Sequence, residues 1–470
     1  MLLWIPIDRD GNIPLIKQIY QYLREQILCG ALQEGDKLPS TRELANYLGV
    51  SRNTILDAYE QLIAEGFLIT QRGAGTFIAE GTFLERRNRQ KMTVSKSTKL
   101  VTDVIDFRSG IPDLTLFPRK VWAKLSQETW NDAEALTFGY DQPEGRLELR
   151  EVLSSYLFRT RGVSCHPEQI IITSGATQAL TLLAKLLLSP DDHVVIEDPI
   201  TTDIQTIFQA TGASLYPIPV DEKGINTALL PKHLCPEFIF ITPSHQFPLG
   251  STLPIQRRIE LIEYVRQKNS YIVEDDYDSE FRFEGLPISS LQGLEEERVV
   301  YIGSFSKILS PALRIGYVIL PYHLIDHGRE LKWFSDLHTP SIDQLVLARF
   351  IKNGYLERHI LKMKKLYKRR RDLLMSELKK SFSEKVTFLG YSTGLHIVTE
   401  WKDIIFSEQV MKRLEESHVK IYPVEDHSIN KGKHRNRMII GYGHLRSVEI
   451  TEGVQRLKSA LDKEKDGKMF

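Results

Sequence analysis

The hydrophobic periodicity of the chain changes character twice, and the two changes fix what each stretch can fold into. Over residues 14 to 80 the spacing is that of a small helical unit closed by a hairpin. In PLIKQIYQYLREQILCG, Ile16, Ile19, Tyr20, Leu23, Ile27 and Leu28 recur at helical intervals and Gly30 closes the helix. LPSTRELANYLGVSRNTILDAYEQLIAEG then divides at Gly49 and Val50 into two helices. Ser40 is placed to cap the first, with Glu43 three residues on, and Ser51 to cap the second, which is a helix-turn-helix layout. FLITQRGAGTFIA alternates apolar residues on either side of RGAG, so a β-hairpin follows whose glycines permit a tight tip. It reads as a wing.

Between Gly81 and Asp103 the periodicity disappears. Arg86, Arg87, Arg89, Lys91, Lys96 and Lys99 stand there against Glu85 and Asp103, a net of +4 by subtraction, and the segment reads as a flexible basic linker. From Val104 onward short β-rich runs alternate with helical stretches: IIITSG then ATQALTLLAKLLL, HVVIEDP, FIFITPS, YIVEDDYD and VVYIGSFS. Such alternation predicts an α/β fold with a mainly parallel sheet. The expected domains are therefore 12–80, the linker 81–103, and 104–470, the last with a large part over about 120–345 and a small α+β part over about 355–465.

Composition narrows the function classes. With 470 residues, 42% hydrophobic and 26% charged, the chain can bury at least one large core. Its formal net charge of +0 gives no global pull toward nucleic acid, so any DNA binding must come from a local arrangement of cations. MLLWIPIDRDG has no basic leader, Asp8 and Asp10 cut its apolar run short, and no later stretch reaches bilayer length. A soluble cytoplasmic protein with no membrane partner is expected. Cys29, Cys165 and Cys235 form no CxxC pair and have no histidine at zinc spacing, so neither a disulfide framework nor a metal site is expected.

The most specific segment is SFSKILSPALRIG, residues 304 to 316, directly after the strand-like VVYIG. It brings two hydroxyls, a lysine and an arginine to the end of a sheet strand, where ligands of open α/β sheets gather. A Schiff-base lysine needs partial desolvation and a fixed anion site nearby, and pyridoxal phosphate (PLP) supplies the anion. Lys307 suits that role, with Ser304, Ser306 and Arg314 as phosphate donors. Taken alone, the stretch reads equally as a surface loop with Arg314 in an ion pair. YIVEDDYD delivers Asp275 and Asp276 together, and a carboxylate there can pair with a pyridine nitrogen; Tyr277 can donate to the ring hydroxyl. Helix capping is the plain alternative for one such acidic pair. At IITSGATQAL a strand turns through Gly175 into a helix, aiming the backbone N–H groups of Ala176 and Thr177 and the Thr177 hydroxyl at an anion. By itself that is a generic strand-to-helix joint.

The three elements together, in this order, resemble fold-type I, class I PLP-dependent aminotransferases. TPSHQFPLG, residues 242 to 250, looks like the family's loop against the ring hydroxyl, with His245 and Gln246 where an Asn-Pro pair is usual. PSTRELANYLGVSRNTILDAYEQLIAEG, residues 39 to 66, is similar to the signature of GntR-family winged helix-turn-helix domains. With EDDYDSEF added, nearly the whole chain resembles MocR/GabR-type transcriptional regulators. The resemblance implies PLP on Lys307, with Asp275, Tyr277, Ala176, Thr177, Ser304, Ser306, Arg314 and Gln246 around it. It also implies a homodimer on double-stranded operator DNA that senses a small amine, an amino-acid-like effector or PLP itself by aldimine exchange at Lys307. The cofactor domain would then serve sensing rather than turnover; a catalytically active class I aminotransferase is the alternative.

In the second helix of the helix-turn-helix, Ile55, Tyr59, Leu62 and Ile63 share one face, leaving Ser51, Arg52, Asn53 and Thr54 at the exposed N-terminal turn, where base edges and phosphates are met. Ser40 and Arg42 are placed to touch the backbone, and Arg72, with Gly75 beside it at the wing, to reach a minor groove. Residues 1 to 80 carry 7 Lys+Arg against 10 Asp+Glu, a net of −3 by subtraction, so two copies per operator and the linker cations are expected to be needed. At the effector end EDPITTDI places Ile200, Thr201 and Asp203 where the resemblance leads one to expect an aromatic residue and an arginine. His444 likewise stands in place of an arginine, leaving Arg437 or Arg446 as substitutes. A cationic or less acidic amine, or PLP, is the effector expected from this pattern.

Overall fold

The computed structural model describes residues 5–83 and 103–466, with side chains through residue 462. Most of the expected linker, residues 84–102, lies outside the described residues. The chain divides into two compact units, Met1–Leu100 and Val101–Phe470.

The first unit contains α1 (Leu15–Leu28), α2 (Thr41–Leu48) and α3 (Arg52–Ala64), then β1 (Leu68–Gln71) and β2 (Gly75–Ile78). Its helix boundaries are written into short-range hydrogen bonds. Ser40 accepts from the Glu43 backbone while the Glu43 carboxylate accepts from the Ser40 backbone, a complete capping box. Gly49 ends α2 in a left-handed conformation, φ 63°, which a side chain would resist. Ser51 caps α3 through the backbone N–H of Thr54. Ile19, Leu23, Ile27, Leu44, Ile55, Tyr59 and Leu62 meet in one core that Leu68 and Ile78 close from the hairpin. Each large side chain so buried contributes roughly 1.5–3 kcal/mol.

The second unit opens with β3 (Ile105–Asp106) and carries an eight-stranded sheet. Its strands are β4 (Ile170–Thr173), β5 (His193–Asp198), β6 (Ser214–Asp221), β7 (Gly224–Ile225), β8 (Phe238–Ile241), β9 (Tyr271–Asp276), β10 (Val299–Ser304) and β11 (Gly316–Ile319). Their spatial order is β4-β11-β10-β9-β8-β5-β6-β7. The run from β10 through β9, β8 and β5 to β6 is parallel. β11 runs antiparallel to both of its neighbours and is the strand missing from the expected alternation. Only the short 3-10 turn Pro311–Leu313, and no α-helix, separates it from β10, so the alternation gives no sign of it. Both faces of the sheet are covered. Ile171, Ile302 and Val318 pack on one side and Ile170, Ile172 and Tyr301 on the other, which explains why IIIT and FIFI are apolar throughout rather than alternating.

The small part contains β12 (Val386–Leu389), β13 (His396–Trp401), β14 (Val419–Lys420), β15 (Tyr422–Pro423) and β16 (Arg437–Gly441). Four of them form an antiparallel sheet in the order β12-β13-β16-β15. The helices Tyr355–Phe382 and Ser447–Asp466 belong to the same part, and β14 pairs in parallel with β3. The first residues of this unit therefore pair with a strand of the small part, although they precede the large part in the chain. Among the described residues no helix is long and apolar enough to cross a membrane.

Candidate functional site

The loops leaving the carboxyl ends of β4, β5, β8, β9 and β10 bring the expected residues of the second unit to one edge of the sheet, the position where open α/β sheets bind ligands. Asp275 and Asp276 end β9 opposite Ile302 and Gly303 of β10, five and four residues before Lys307. The two aspartates differ sharply. Asp276 is buried and accepts from Arg161 Nε at 2.6 Å and from the Tyr301 hydroxyl at 2.5 Å. Asp275 has a buried Oδ1 with no partner among the described residues, and burial, reinforced by the neighbouring Asp276 charge, pushes its carboxyl up to about 7. An unpaired buried carboxylate oxygen at this point fits a protonated ring nitrogen.

Lys307 is half-buried, and burial holds its ammonium below the usual lysine range. Asp278 and Asp275 pull it back up, while Arg108 depresses it further. The turn at Gly110 (φ 70°) covers the amine so closely that a β-carbon there would fall 2.7 Å from Lys307 Nζ.

The strand-to-helix turn has Gly175 as N-cap, φ 86°, so the first backbone N–H groups of the helix Ala176–Leu187 face outward without a capping side chain. The Arg314 guanidinium lies across this turn: it donates to the Ser174 carbonyl, and a β-carbon on Gly175 would come within 2.9 Å of it. Ser304 Oγ accepts from the Ser306 backbone at 3.1 Å and lies 2.9 Å from Ser306 Oγ. Thr177 is exposed. Backbone amides, two hydroxyls and a guanidinium are thus grouped without a carboxylate directly on Arg314, a donor set suited to a phosphate.

Two expected positions are occupied differently. Both amide hydrogens of Gln246 go to main-chain carbonyls, those of Pro199 at 2.9 Å and Phe247 at 2.6 Å, and its oxygen accepts from the Leu249 backbone. Its side chain therefore secures its own loop instead of facing a ring. Tyr277 donates to the His245 carbonyl at 2.8 Å. The residue of this loop with a spare polar atom is His245: its Nδ1 is 2.8 Å from Asp278 Oδ1, and its buried Nε2 has no partner among the described residues. His396 stacks on it at 4.8 Å and bonds the Pro248 carbonyl through Nε2, with burial and the His245 neighbour depressing its pKa to about 3. His245, Asp278 and His396 hold their ligand-capable atoms within 4.8 Å of one another, a grouping invisible in the sequence because 118 positions separate Asp278 from His396 in the small sheet.

Neither arginine offered as a carboxylate partner is open. Arg437 pairs with Glu400, its Nε at 2.9 Å, and the exposed Arg446 pairs with Glu449 at 2.8 Å. His444 bonds the Asp106 carbonyl at 2.9 Å. Asp203 is exposed at the start of the helix Thr202–Gln209, and Ile200 is buried.

In the first unit Ser51, Arg52 and Asn53 are exposed at the start of α3, with Thr54 half-buried where its backbone meets the Ser51 cap. Arg52 Nε reaches Thr41 Oγ1 at 3.4 Å, tying α3 to the start of α2, where Ser40 and Arg42 are also exposed. Arg72 sits in the turn between β1 and β2, and Gly75 opens β2 with φ 123°, packed so close to Lys37 that a β-carbon would meet its Cε at 2.8 Å. Apart from the Thr41 contact, these cations make no ion pair among the described residues and are open to a polyanion.

Residues 15–78 match the family described as bacterial regulatory proteins, gntR family, and residues 102–442 match aminotransferase class I and II. The chain is 36% identical to the HTH-type transcriptional regulator YdeL of Bacillus subtilis, over 97% of this chain and 98% of that protein. It is 31% identical to the probable rhizopine catabolism regulatory protein MocR of Rhizobium meliloti, over 97% and 95%. It is 32% identical to the HTH-type pyridoxine biosynthesis transcriptional regulator PdxR of Corynebacterium glutamicum, over 80% and 82%. Among solved structures it is similar to a Pyrococcus horikoshii kynurenine aminotransferase in complex with PMP, with a TM-score of 0.72 and 29% identity, over 77% of this chain and 92% of that one.

Proposed function

The chain belongs to the MocR-type HTH transcriptional regulators, a gntR-family DNA-binding domain and a class I and II aminotransferase domain in one polypeptide, and from that premise we propose that it binds operator DNA as a cytoplasmic homodimer and senses an amino compound, or PLP itself, at Lys307. The observation that carries the reading is the pairing of a desolvated lysine with a buried aspartate oxygen that has no partner. When bound, PLP supplies an aldehyde that condenses with amines and a ring that draws electrons.

The rest is the work of this chain's own residues. Asp275 would accept the ring N–H, while Arg314, Ser304, Ser306 and the N–H groups of Ala176 and Thr177 would take the phosphate. Burial of Lys307 raises the fraction of neutral, nucleophilic amine. In the first unit, the exposed start of α3 with Arg52, Asn53 and Thr54 would enter a major groove, Ser40 and Arg42 would hold phosphates, and Arg72 would follow the wing. Dimerisation finds support in the exposed apolar side chains of Trp130, Leu136, Phe138 and Tyr140, which cluster in one short stretch of sequence.

The test uses full-length protein. Incubated with PLP it should gain a visible absorption band that Lys307→Ala abolishes, and its affinity for the DNA upstream of its own gene should change when cofactor and amines are added one at a time. Protein that stays colourless in excess cofactor sinks the reading. The fold similarity to solved aminotransferases keeps an active transaminase as the second reading, and amino-group transfer to 2-oxoglutarate across a panel of amines would favour it.

A further inference from the structure

The stretch from Ile105 to Pro112 runs between the small sheet and the lysine loop. Its β3 pairs with β14, Asp106 Oδ1 accepts from the Tyr422 hydroxyl at 2.9 Å, and the Phe107 carbonyl accepts from the Gly441 backbone at 2.8 Å. Gly441 lies flush against the next residue: a β-carbon there would sit 2.2 Å from the Arg108 carbonyl oxygen. Two residues further on, Gly110 presses against Lys307 Nζ. Cα atoms two residues apart are separated by at most about 7 Å, so the Arg108 backbone stands within an arginine side chain's length of the space over Lys307.

That backbone is clamped from both sides, yet its side chain is exposed and makes no hydrogen bond or ion pair among the described residues. The neighbouring arginines are committed. Arg370 holds Asp113 and the Gly443 carbonyl, Arg371 holds Glu284 and Asp372, and Arg437 and Arg446 hold their glutamates. The Arg108 charge acts on both Lys307 and the Tyr422 hydroxyl, drawing the pKa of each downward.

We propose that Arg108 is the anion anchor of the effector subsite, so that the ligand is an amine carrying a carboxylate, gripped by its acid group at Arg108 while its amine is presented at Lys307. A guanidinium offers a planar fork that matches a carboxylate, and one held rigidly at its backbone loses little freedom on pairing. This inference rests on the reading of Lys307 as the PLP lysine and replaces the expectation of a cationic or less acidic amine.

The experiment takes PLP-loaded full-length protein and follows its visible spectrum during titration with glycine, β-alanine and 5-aminopentanoate, each beside the amine of the same skeleton without the acid: methylamine, ethylamine and butylamine. The wild type should respond to at least one amino acid at a concentration about tenfold or more below that of its matched amine, the size of one charge-assisted pair. Arg108→Gln should erase that advantage while leaving the cofactor band and the response to the amines unchanged, and Arg108→Lys should restore part of it. An advantage that survives Arg108→Gln, a wild type with no preference for the acid, or an Arg108→Gln protein that no longer takes up PLP each overturns the assignment while Lys307 keeps its role. A wild type that takes up no PLP removes the underlying reading and this inference with it.

Discussion

Asp275 and Asp276 are neighbours in sequence with opposite surroundings, and the difference makes them separable by mutation. Asp276 is the buried partner of Arg161 and Tyr301, so Asp276→Asn should cost about 3–5 kcal/mol of stability by leaving a guanidinium poorly paired. Asp275 Oδ1 has no hydrogen-bond partner among the described residues, so Asp275→Asn should leave the melting temperature of the cofactor-free protein unchanged or raised while sharply weakening PLP uptake. Melting curves and PLP titrations of the two variants check this, and a larger stability loss at Asp275 would refute it. Lys307 adds a pH dependence. Its amine reacts when neutral, and burial lowers its pKa from 10.5, so the rate of gaining the PLP band should rise with pH to a midpoint below 10.5. Asp278 favours the ammonium, so Asp278→Asn should move that midpoint lower still, as rapid-mixing absorbance would record; a midpoint moved upward would contradict the assigned direction.

At the scale of elements, the first unit separates folding from recognition. The Ser40 box and the Ser51 cap satisfy helix N-termini, and either serine changed to alanine should cost about 1 kcal/mol of that unit's stability. Arg42 and Arg52 bury no surface in the core and should behave differently. Arg52→Ala and Arg42→Ala should leave thermal stability within about 0.5 kcal/mol while lowering operator affinity, and a lost phosphate contact should flatten the salt dependence of binding by about one unit of slope. Equal salt slopes for wild type and both variants would remove these arginines from the interface. In the second unit, the element that places Lys307 is the β10 to β11 connection: the antiparallel return of β11 against β4 brings Gly316 onto Gly175 and so closes the lysine loop over the phosphate turn.

For the whole molecule, the stretch from Trp130 to Tyr140 is the part that a monomer leaves unexplained. Leu136 is 86% exposed and Tyr140 81%, and Trp130 stacks on Phe138 at 5.5 Å in a surface patch. Covering such a patch with a second copy is favourable by the ordinary area term. Leu136→Asp combined with Tyr140→Asp should therefore shift sedimentation toward the monomer and weaken operator binding, because two half-site contacts are then no longer linked. A double variant that still sediments as a dimer would place the interface elsewhere.

What the sequence determined by itself is everything carried by short-range pattern. The capping box of Ser40 and Glu43, the turn at Gly49, the hairpin around RGAG, the order of glycine turn, aspartate pair and lysine, and the two-domain plan are each set by residues a few positions apart, where spacing alone decides geometry. What only the tertiary structure decided are the choices made by partners far away in the chain. Asp275 rather than Asp276 is left free because Arg161, 115 residues upstream, takes the other. Gln246 is spent on the Pro199 carbonyl of another loop and on the backbone of its own, His245 gains a stacked histidine from the small sheet, and Arg108 rather than Arg437 or Arg446 stands uncommitted beside Lys307. The reason is physical: a side chain's type is local, but whether its charge is paired, buried or exposed depends on which distant segment packing brings against it.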